Sequence, residues 1–318
     1  MASYRSYLCP LAVALTLLLW SCPTLALEPI VVEAVQLPDY EAVRGIRRYA
    51  TPDEYNETRA DQRFRLERMT YTSDGLRVSA YVYRPARATD RLPVIVFNRG
   101  SWVVKDQAPA LLTMFRRLGN AGFLVLAPML RGSDGAEGRD EMGGAELADI
   151  SNAVAAARSR YEADFDNLFL YGESRGGMMV FLALQRGMPA RAAATFGTIT
   201  DFELHFGEAP DQAALAPRIW PDYELKKAEI LRTRSALKWA EDLRVPLLLL
   251  NGGADQTVSP SQAMMLAARL QQLKYPYAVT IYAYDNHALT ANRVDRDQRV
   301  VEWFKHHLRT VGIKNEPK

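Results

Sequence analysis

The sequence predicts an α/β fold: a mostly parallel central sheet with helices on both faces, an antiparallel N-terminal hairpin and a cap-like insertion. Three observations carry that prediction. Short apolar runs alternate with helical patterns from residue 93 onward, the mark of a parallel sheet built from strand–helix–strand units. The runs are continuous, as in Val94-Ile95-Val96-Phe97, which suits strands buried on both faces. Two β-prone runs precede them, joined by Thr72-Ser73-Asp74-Gly75, where Asp-Gly is a strong hairpin signal.

The elements follow in chain order. Residues 1–26 read as an export leader. Arg5 supplies a positive start, residues 11–20 form an apolar run too short to span a bilayer, and Thr24-Leu25-Ala26 offers small residues for cleavage after Ala26. The expected location is periplasmic or secreted; an uncleaved anchor and lipidation at Cys22 are the alternatives. Both cysteines, Cys9 and Cys22, fall in the leader, so the processed chain would have no thiol nucleophile, disulfide or thiolate metal site.

Residues 27–64 are mixed, charged and proline-punctuated, and read as an extension wrapping the domain. The catalytic domain is assigned to 65–318. Runs at 65–71 and 76–84 form the hairpin, 93–97 is the first buried strand, 108–120 a helix, 122–127 a strand and 143–161 a long helix. Strand 167–171, helix 178–184 and strand 191–196 come next. Beyond 243, residues 247–250, 261–273, 278–284 and 297–308 read strand, helix, strand, helix. The insertion, 197–243, is long, polar and aromatic-spotted where a short crossover would suffice. It is expected over the C-terminal edge of the sheet, where ligands bind in such folds.

Composition excludes some partners. Hydrophobic residues make up 48% of the 318 and charged residues 24%, ordinary for a globular protein able to bury a sizeable core. A net charge of +2 is too mild to argue for nucleic acid, and Arg47-Arg48 and Arg116-Arg117 are short pairs. No segment after the leader is long and apolar enough to cross a membrane. No metal or organic cofactor is implied. Oligomeric state stays open.

The chemistry concentrates at Gly172-Glu173-Ser174-Arg175-Gly176. A strand-like run precedes it and a helix-like run follows, the context of a nucleophile elbow. Side chains at Gly172 and Gly176 would collide in so sharp a turn, and Gly177 extends the small surface. A serine hydroxyl needs a base, and the base needs a partner to fix its tautomer. His287, in the loop after the last strand, is the expected base; His205, His306 and His307 are read as surface or structural residues. Asp255, just past the 247–250 strand, is the expected acid, with Asp285 as runner-up. The oxyanion is expected to meet the backbone N–H of Arg175 and the loop Asn98-Arg99-Gly100-Ser101 after the 93–97 strand. Phe202, Phe206, Trp220 and Tyr223 of the insertion are candidates to line a substrate pocket.

Three segments together resemble the α/β-hydrolase superfamily and, within it, the catalytic domain of the prolyl oligopeptidase family of serine peptidases. They are the elbow with its doubled glycine; Arg131-Gly132-Ser133-Asp134-Gly135 leading into Gly143-Gly144-Ala145-Glu146-Leu147-Ala148-Asp149; and the Asp255 and His287 pair. The resemblance covers roughly residue 65 to the end. It implies an acyl-enzyme hydrolase, first a peptidase, with a carboxylesterase of small or polymeric esters as the alternative and a non-catalytic binding protein as a further one. The chain departs from the family in two ways. Many members carry a propeller domain, for which the 318 residues leave no room, and several place a tyrosine where Asn98 stands here. The Asn98 side-chain amide, or a backbone N–H of Arg99 or Gly100, is the expected substitute donor.

Overall fold

The computed structural model of the protein describes residues 29–87, 91–101 and 107–309. The leader, with its proposed cleavage site and both cysteines, lies outside them. Nine strands are described: β1 Val31–Ala34, β2 Phe64–Ser73, β3 Leu76–Pro85, β4 Leu92–Asn98, β5 Leu124–Pro128, β6 Ala163–Glu173, β7 Ala192–Phe196, β8 Leu247–Gly252 and β9 Tyr277–Tyr282. They form one sheet in the order β1-β2-β3-β5-β4-β6-β7-β8-β9. Pairing is antiparallel from β1 to β3 and between β3 and β5. It is parallel from β5 through β9.

Period-two alternation splits each buried strand between two cores. Val94 and Val96 of β4 face one core, Ile95 and Phe97 the other; Leu168 and Leu170 of β6 oppose Phe169 and Tyr171. The first core takes helices α3 (Leu147–Arg160), α4 (Arg175–Gln185) and α9 (Ser261–Leu273); the second takes α2 (Ala108–Asn120) and α10 (Arg293–His306). Each buried Leu or Phe contributes roughly 1.5–3 kcal/mol, so the two faces together supply the folding free energy. In the second core Phe169 stacks on Phe304 with ring centroids 4.7 Å apart.

The hairpin is tighter than its sequence signal. Ser73 pairs with Leu76, leaving Asp74 and Gly75 as a two-residue turn with φ of 50° and 79°, the primed geometry that matches strand twist. Among the described residues 29–64 the structure forms a strand and an α-helix, besides two 3-10 turns, that the sequence reading did not separate. β1 adds an edge strand beside β2, and α1 (Pro52–Ala60) begins with a Thr51/Glu54 capping box and a proline at its first turn. Tyr40, Val43, Ile46 and Tyr49 of the same segment are buried in the second core.

Helix α3 starts at Leu147, four residues later than its pattern predicts. The Glu146 carboxylate turns back onto the backbone N–H groups of Glu141, Gly143 and Gly144, which holds the preceding turn out of helical geometry. The insertion is a packed body. It comprises α5 (Phe202–Glu208), α6 (Pro210–Ala213), α7 (Ala216–Ile219), α8 (Tyr223–Arg234) and a 3-10 stretch Ala236–Asp242. Phe202, Trp220, Leu231 and Trp239 are buried in the first core.

One buried ion pair ties three separate segments together. Asp149 of α3 accepts from the Arg131 backbone N–H (2.7 Å), from Arg131 Nη2 (2.6 Å) and from the Ser73 hydroxyl (2.6 Å). Arg131 also reaches Asp74 in the hairpin turn at 2.8 Å. Removing one partner leaves the other charge buried and uncompensated. Asp149→Ala is therefore expected to cost about 3–5 kcal/mol in urea unfolding, whereas the exposed ion-pair member Glu41→Ala costs under about 1 kcal/mol.

Candidate active site

Parallel strands all point their C-terminal ends at one rim, and the sheet register levels those ends. Asn98 pairs with Gly172, Glu173 with Phe196, and Gly252 with Tyr282. The loops leaving β4, β6, β7, β8 and β9 therefore meet at that rim, where side chains distant in sequence come together.

Ser174 stands between β6 and α4 with φ 52° and ψ −121°, a region that non-glycine residues rarely occupy. Its N–H donates to the Phe196 carbonyl (2.8 Å), and its own carbonyl accepts from the Gly177 N–H (3.0 Å). These bonds fix the turn from both sides. A Cβ on Gly172 would lie 2.5 Å from the Gly176 carbonyl oxygen, and one on Gly176 would overlap the Asn98 carbonyl. The doubled-glycine pattern thus follows from how closely α4 approaches β4 and β6.

His287 and Asp255 come from the loops after β9 and β8. His287 Nδ1 lies 2.8 Å from Asp255 Oδ2. The other carboxylate oxygen accepts from the backbone N–H groups of Thr257 (2.7 Å) and Val258 (2.9 Å), so Asp255 is fixed at both oxygens. A carboxylate at Nδ1 requires the proton there, which leaves Nε2 as an acceptor. Gly197, at the end of β7, lets the backbone lie against the imidazole: a Cβ there would sit 3.0 Å from the His287 ring. Ser174 and His287 line one cavity of about 560 Å³, with Asp255 buried behind the histidine. Asp285, the runner-up acid, is occupied locally: it accepts from the Asn286 and Ala291 N–H groups and from both nitrogens of Asn292. Burial opposes its ionisation, but those bonds prevail and hold its pKa below the ordinary value.

The expected oxyanion loop divides. Asn98 is buried, and its amide Nδ2 donates to the Val96 carbonyl of its own strand (3.3 Å), so the side-chain donor expected from sequence is turned back into the sheet. The buried Arg99 guanidinium donates to the carbonyls of Met129, Gly100 and Ser101 and to the Ser133 hydroxyl, bracing the loop from beneath. Gly100 packs on the elbow: a Cβ there would lie 3.4 Å from both Ser174 Cβ and Glu173 Cδ. Ser101 and Arg175 reach the cavity wall, while Asn98, Arg99 and Gly100 do not. The Arg175 side chain is buried in ion pairs with Asp140 (2.7 Å) and Glu146 (3.0 Å). Its backbone N–H opens α4, where first-turn amides have no intrahelical acceptor.

The aromatic candidates divide too. Phe202 and Phe206 line the cavity, with Ile199, Leu215 and Ile219. Trp220 does not: it packs behind them, its centroid 6.1 Å from Phe202, and its indole N–H donates to the Glu141 carbonyl. Tyr223 stacks on Trp220 and walls a separate cavity of about 710 Å³. Those two side chains are buried with Phe202 in the first core, where they seat the insertion.

Of the cavity-lining residues outside the elbow that the sequence reading did not assign to the site, two are ionisable, His205 and Arg48. His205, taken there as surface or structural, is 1% exposed and lines the cavity with Nε2 2.9 Å from Gln212 Oε1. Burial lowers its pKa, more than the Gln212 bond raises it, so the ring is neutral at neutral pH. Its i+3 spacing from Phe202 was the available signal. Arg48, from the N-terminal segment, lines the cavity as well, beside Tyr49, whose hydroxyl donates to Glu173 Oε1 (2.8 Å). His306 and His307 end α10 away from this cavity. Among the described residues no group of three or more His, Cys, Asp or Glu is placed to hold a metal ion.

A sequence profile of the prolyl oligopeptidase family (Peptidase_S9) matches residues 110–310. The chain is similar to the uncharacterized peptidase YtmA of Bacillus subtilis (strain 168), 27% identical over 246 residues, 77% of this chain and 95% of that protein. Its structure is similar to that of an acylaminoacyl peptidase of Pyrococcus horikoshii, with TM-score 0.64 and 19% identity, covering 80% of this chain and 43% of that one. It is also similar to an esterase of Pyrococcus furiosus, with TM-score 0.63 and 16% identity, covering 87% of this chain and 99% of that one. The chain thus spans less than half the length of the acylaminoacyl peptidase. These likenesses show the α/β-hydrolase fold.

Burial pushes the Glu173 carboxyl above its ordinary pKa, and the Tyr49 hydrogen bond and the nearby His287 do not offset it. Between the ordinary value and the raised one, the folded protein holds a proton that the unfolded chain has released, so this group's contribution to stability falls as pH rises through that window. Glu173→Gln, which keeps an acceptor for Tyr49, is expected to gain stability relative to the parent as pH rises. Urea midpoints from pH 4 to 8 measure the difference; a constant offset would contradict the raised pKa.

Proposed function

The chain belongs to the prolyl oligopeptidase family, and from that premise we propose that it is an exported serine hydrolase working through an acyl-enzyme, first a peptidase. The observation that carries this reading is the 2.8 Å contact of His287 Nδ1 with Asp255, in a histidine that shares one cavity wall with the strained Ser174. Ser174 Oγ attacks a substrate carbonyl as His287 Nε2 takes its proton. Asp255 holds the tautomer and stabilises the imidazolium. The tetrahedral oxyanion is met by the Arg175 backbone N–H and by a backbone N–H at Ser101, where the preceding loop reaches the cavity. Collapse expels the leaving group, which takes the proton back from His287, and water then repeats the sequence on the acyl-enzyme. Phe202 and Phe206 form an apolar wall for the substrate, and the neutral His205 places a polar point within it.

Ester hydrolysis is the second reading. The apolar wall of Phe202, Phe206, Ile199, Ile219 and Val258 suits a short acyl chain as well as a peptide side chain. Export through residues 1–26 belongs to the same proposal, and the mature protein would begin at Leu27.

The tests separate these layers. Fluorophosphonate is expected to form one adduct, on Ser174, and none in Ser174→Ala; no adduct on the parent protein would favour a binding protein on the same fold. Asp255→Asn is expected to lower kcat about 10,000-fold with little change in unfolding midpoint. Parallel kcat/KM values for short nitrophenyl esters and peptide anilides decide between esterase and peptidase. N-terminal sequencing of the exported protein reads the cleavage site.

A further inference from the structure

The cavity wall carries five ionisable side chains: Arg48, Glu173, Arg175, His205 and His287. Four have partners. Arg175 is paired with Asp140 and Glu146, His287 with Asp255, His205 with Gln212, and Glu173 accepts from Tyr49. Arg48 is the exception: among the described residues it has no ion-pair partner, while its neighbour Arg47 lies 3.6 Å from Glu41.

The position of Arg48 is built into the fold. It ends the 3-10 turn Ile46–Arg48, which follows Gly45 at φ 75°. Ile46 on one side is buried in the second core. Tyr49 on the other is buried and bonded to Glu173, the residue before the proposed nucleophile and 124 positions away. The backbone of Arg48 is thus anchored on both sides, and the exposed residue lines the cavity. Glu173 feels the Arg48 charge, but the two are not within ion-pair distance, and burial outweighs that attraction and disfavours the Glu173 charge. An exposed guanidinium with no ion-pair partner, carried on an anchored backbone at a cavity wall, favours a planar anion, which it binds through paired N–H donors.

We propose that Arg48 is a specificity-determining residue that anchors a substrate carboxylate, so that this hydrolase prefers anionic substrates. This rests on the serine-hydrolase reading above and narrows its substrate class. The carboxylate has two possible sources, the free C-terminus of a short peptide or the far end of a dicarboxylate half-ester.

Each source is one arm of the test on the full mature chain. The ester arm compares kcat/KM for mono-4-nitrophenyl glutarate and 4-nitrophenyl valerate. The peptide arm compares an alanine-rich tetrapeptide bearing a free C-terminus with its C-terminal amide. In at least one arm the anionic substrate is expected to lead by about tenfold or more, and raising salt from about 0.05 to about 0.5 M is expected to shrink that lead. Arg48→Met lowers the ratio about tenfold and Arg48→Glu inverts it, while the control Arg47→Met keeps it. A ratio of one or less in both arms, or a ratio indifferent to Arg48→Met, overturns the proposal and leaves the hydrolase reading standing. Absence of turnover in every arm, with no fluorophosphonate adduct on Ser174, removes the hydrolase reading and this one with it.

Discussion

The close approach of α4 to the sheet at Ser174 is the constraint on which the rest of the site depends. A serine at φ 52° costs of order 1–3 kcal/mol and persists only where its surroundings over-determine it. Here the Phe196 carbonyl, the Gly177 N–H and the missing side chains at Gly172 and Gly176 do so. The same contact sets the distance between α4 and the strands beside it. It therefore also fixes where the loops after β4 and β7 run relative to the serine.

Around that turn, buried charge does the positioning. Arg175 enters a closed group with Asp140 and Glu146, and its Nη1 also holds the Ser101 carbonyl. Arg99 reaches the Gly100 and Ser101 carbonyls from beneath. The loop at 99–101 is thus held through its carbonyls by two buried guanidiniums. Such pairs contribute little net stability relative to an apolar core, but breaking one leaves a buried charge exposed to no solvent. Their effect is to give the loop one conformation beside Ser174.

The local part of this architecture was legible in the sequence. The elbow, the hairpin turn at Asp74-Gly75 and the alternation of strands and helices are set by interactions within a few residues, and the structure places them at the predicted positions with ends shifted by a few residues. Asp255 and His287 meet because parallel strands deliver their following loops to one rim. What was not legible concerns the direction of side chains. Asn98 stands at the expected end of β4, yet its amide points to Val96, because a buried amide takes the nearest carbonyl. Trp220 and Tyr223 lie in the expected insertion, yet they are buried in the first core.

The sequence by itself determined the order of elements, the sharp turn at Ser174 and the set of polar residues available to the rim. Those follow from hydrophobic period, glycine placement and turn chemistry, all of which act locally. Only the tertiary structure decided which residues wall the cavity. Arg48 reaches it from a segment that carries no motif, beside Tyr49, whose hydrogen bond to Glu173 spans 124 residues, and His205 reaches it because the insertion folds back over the first core. Contacts of that kind depend on how two packed layers meet, and no window of sequence contains both sides.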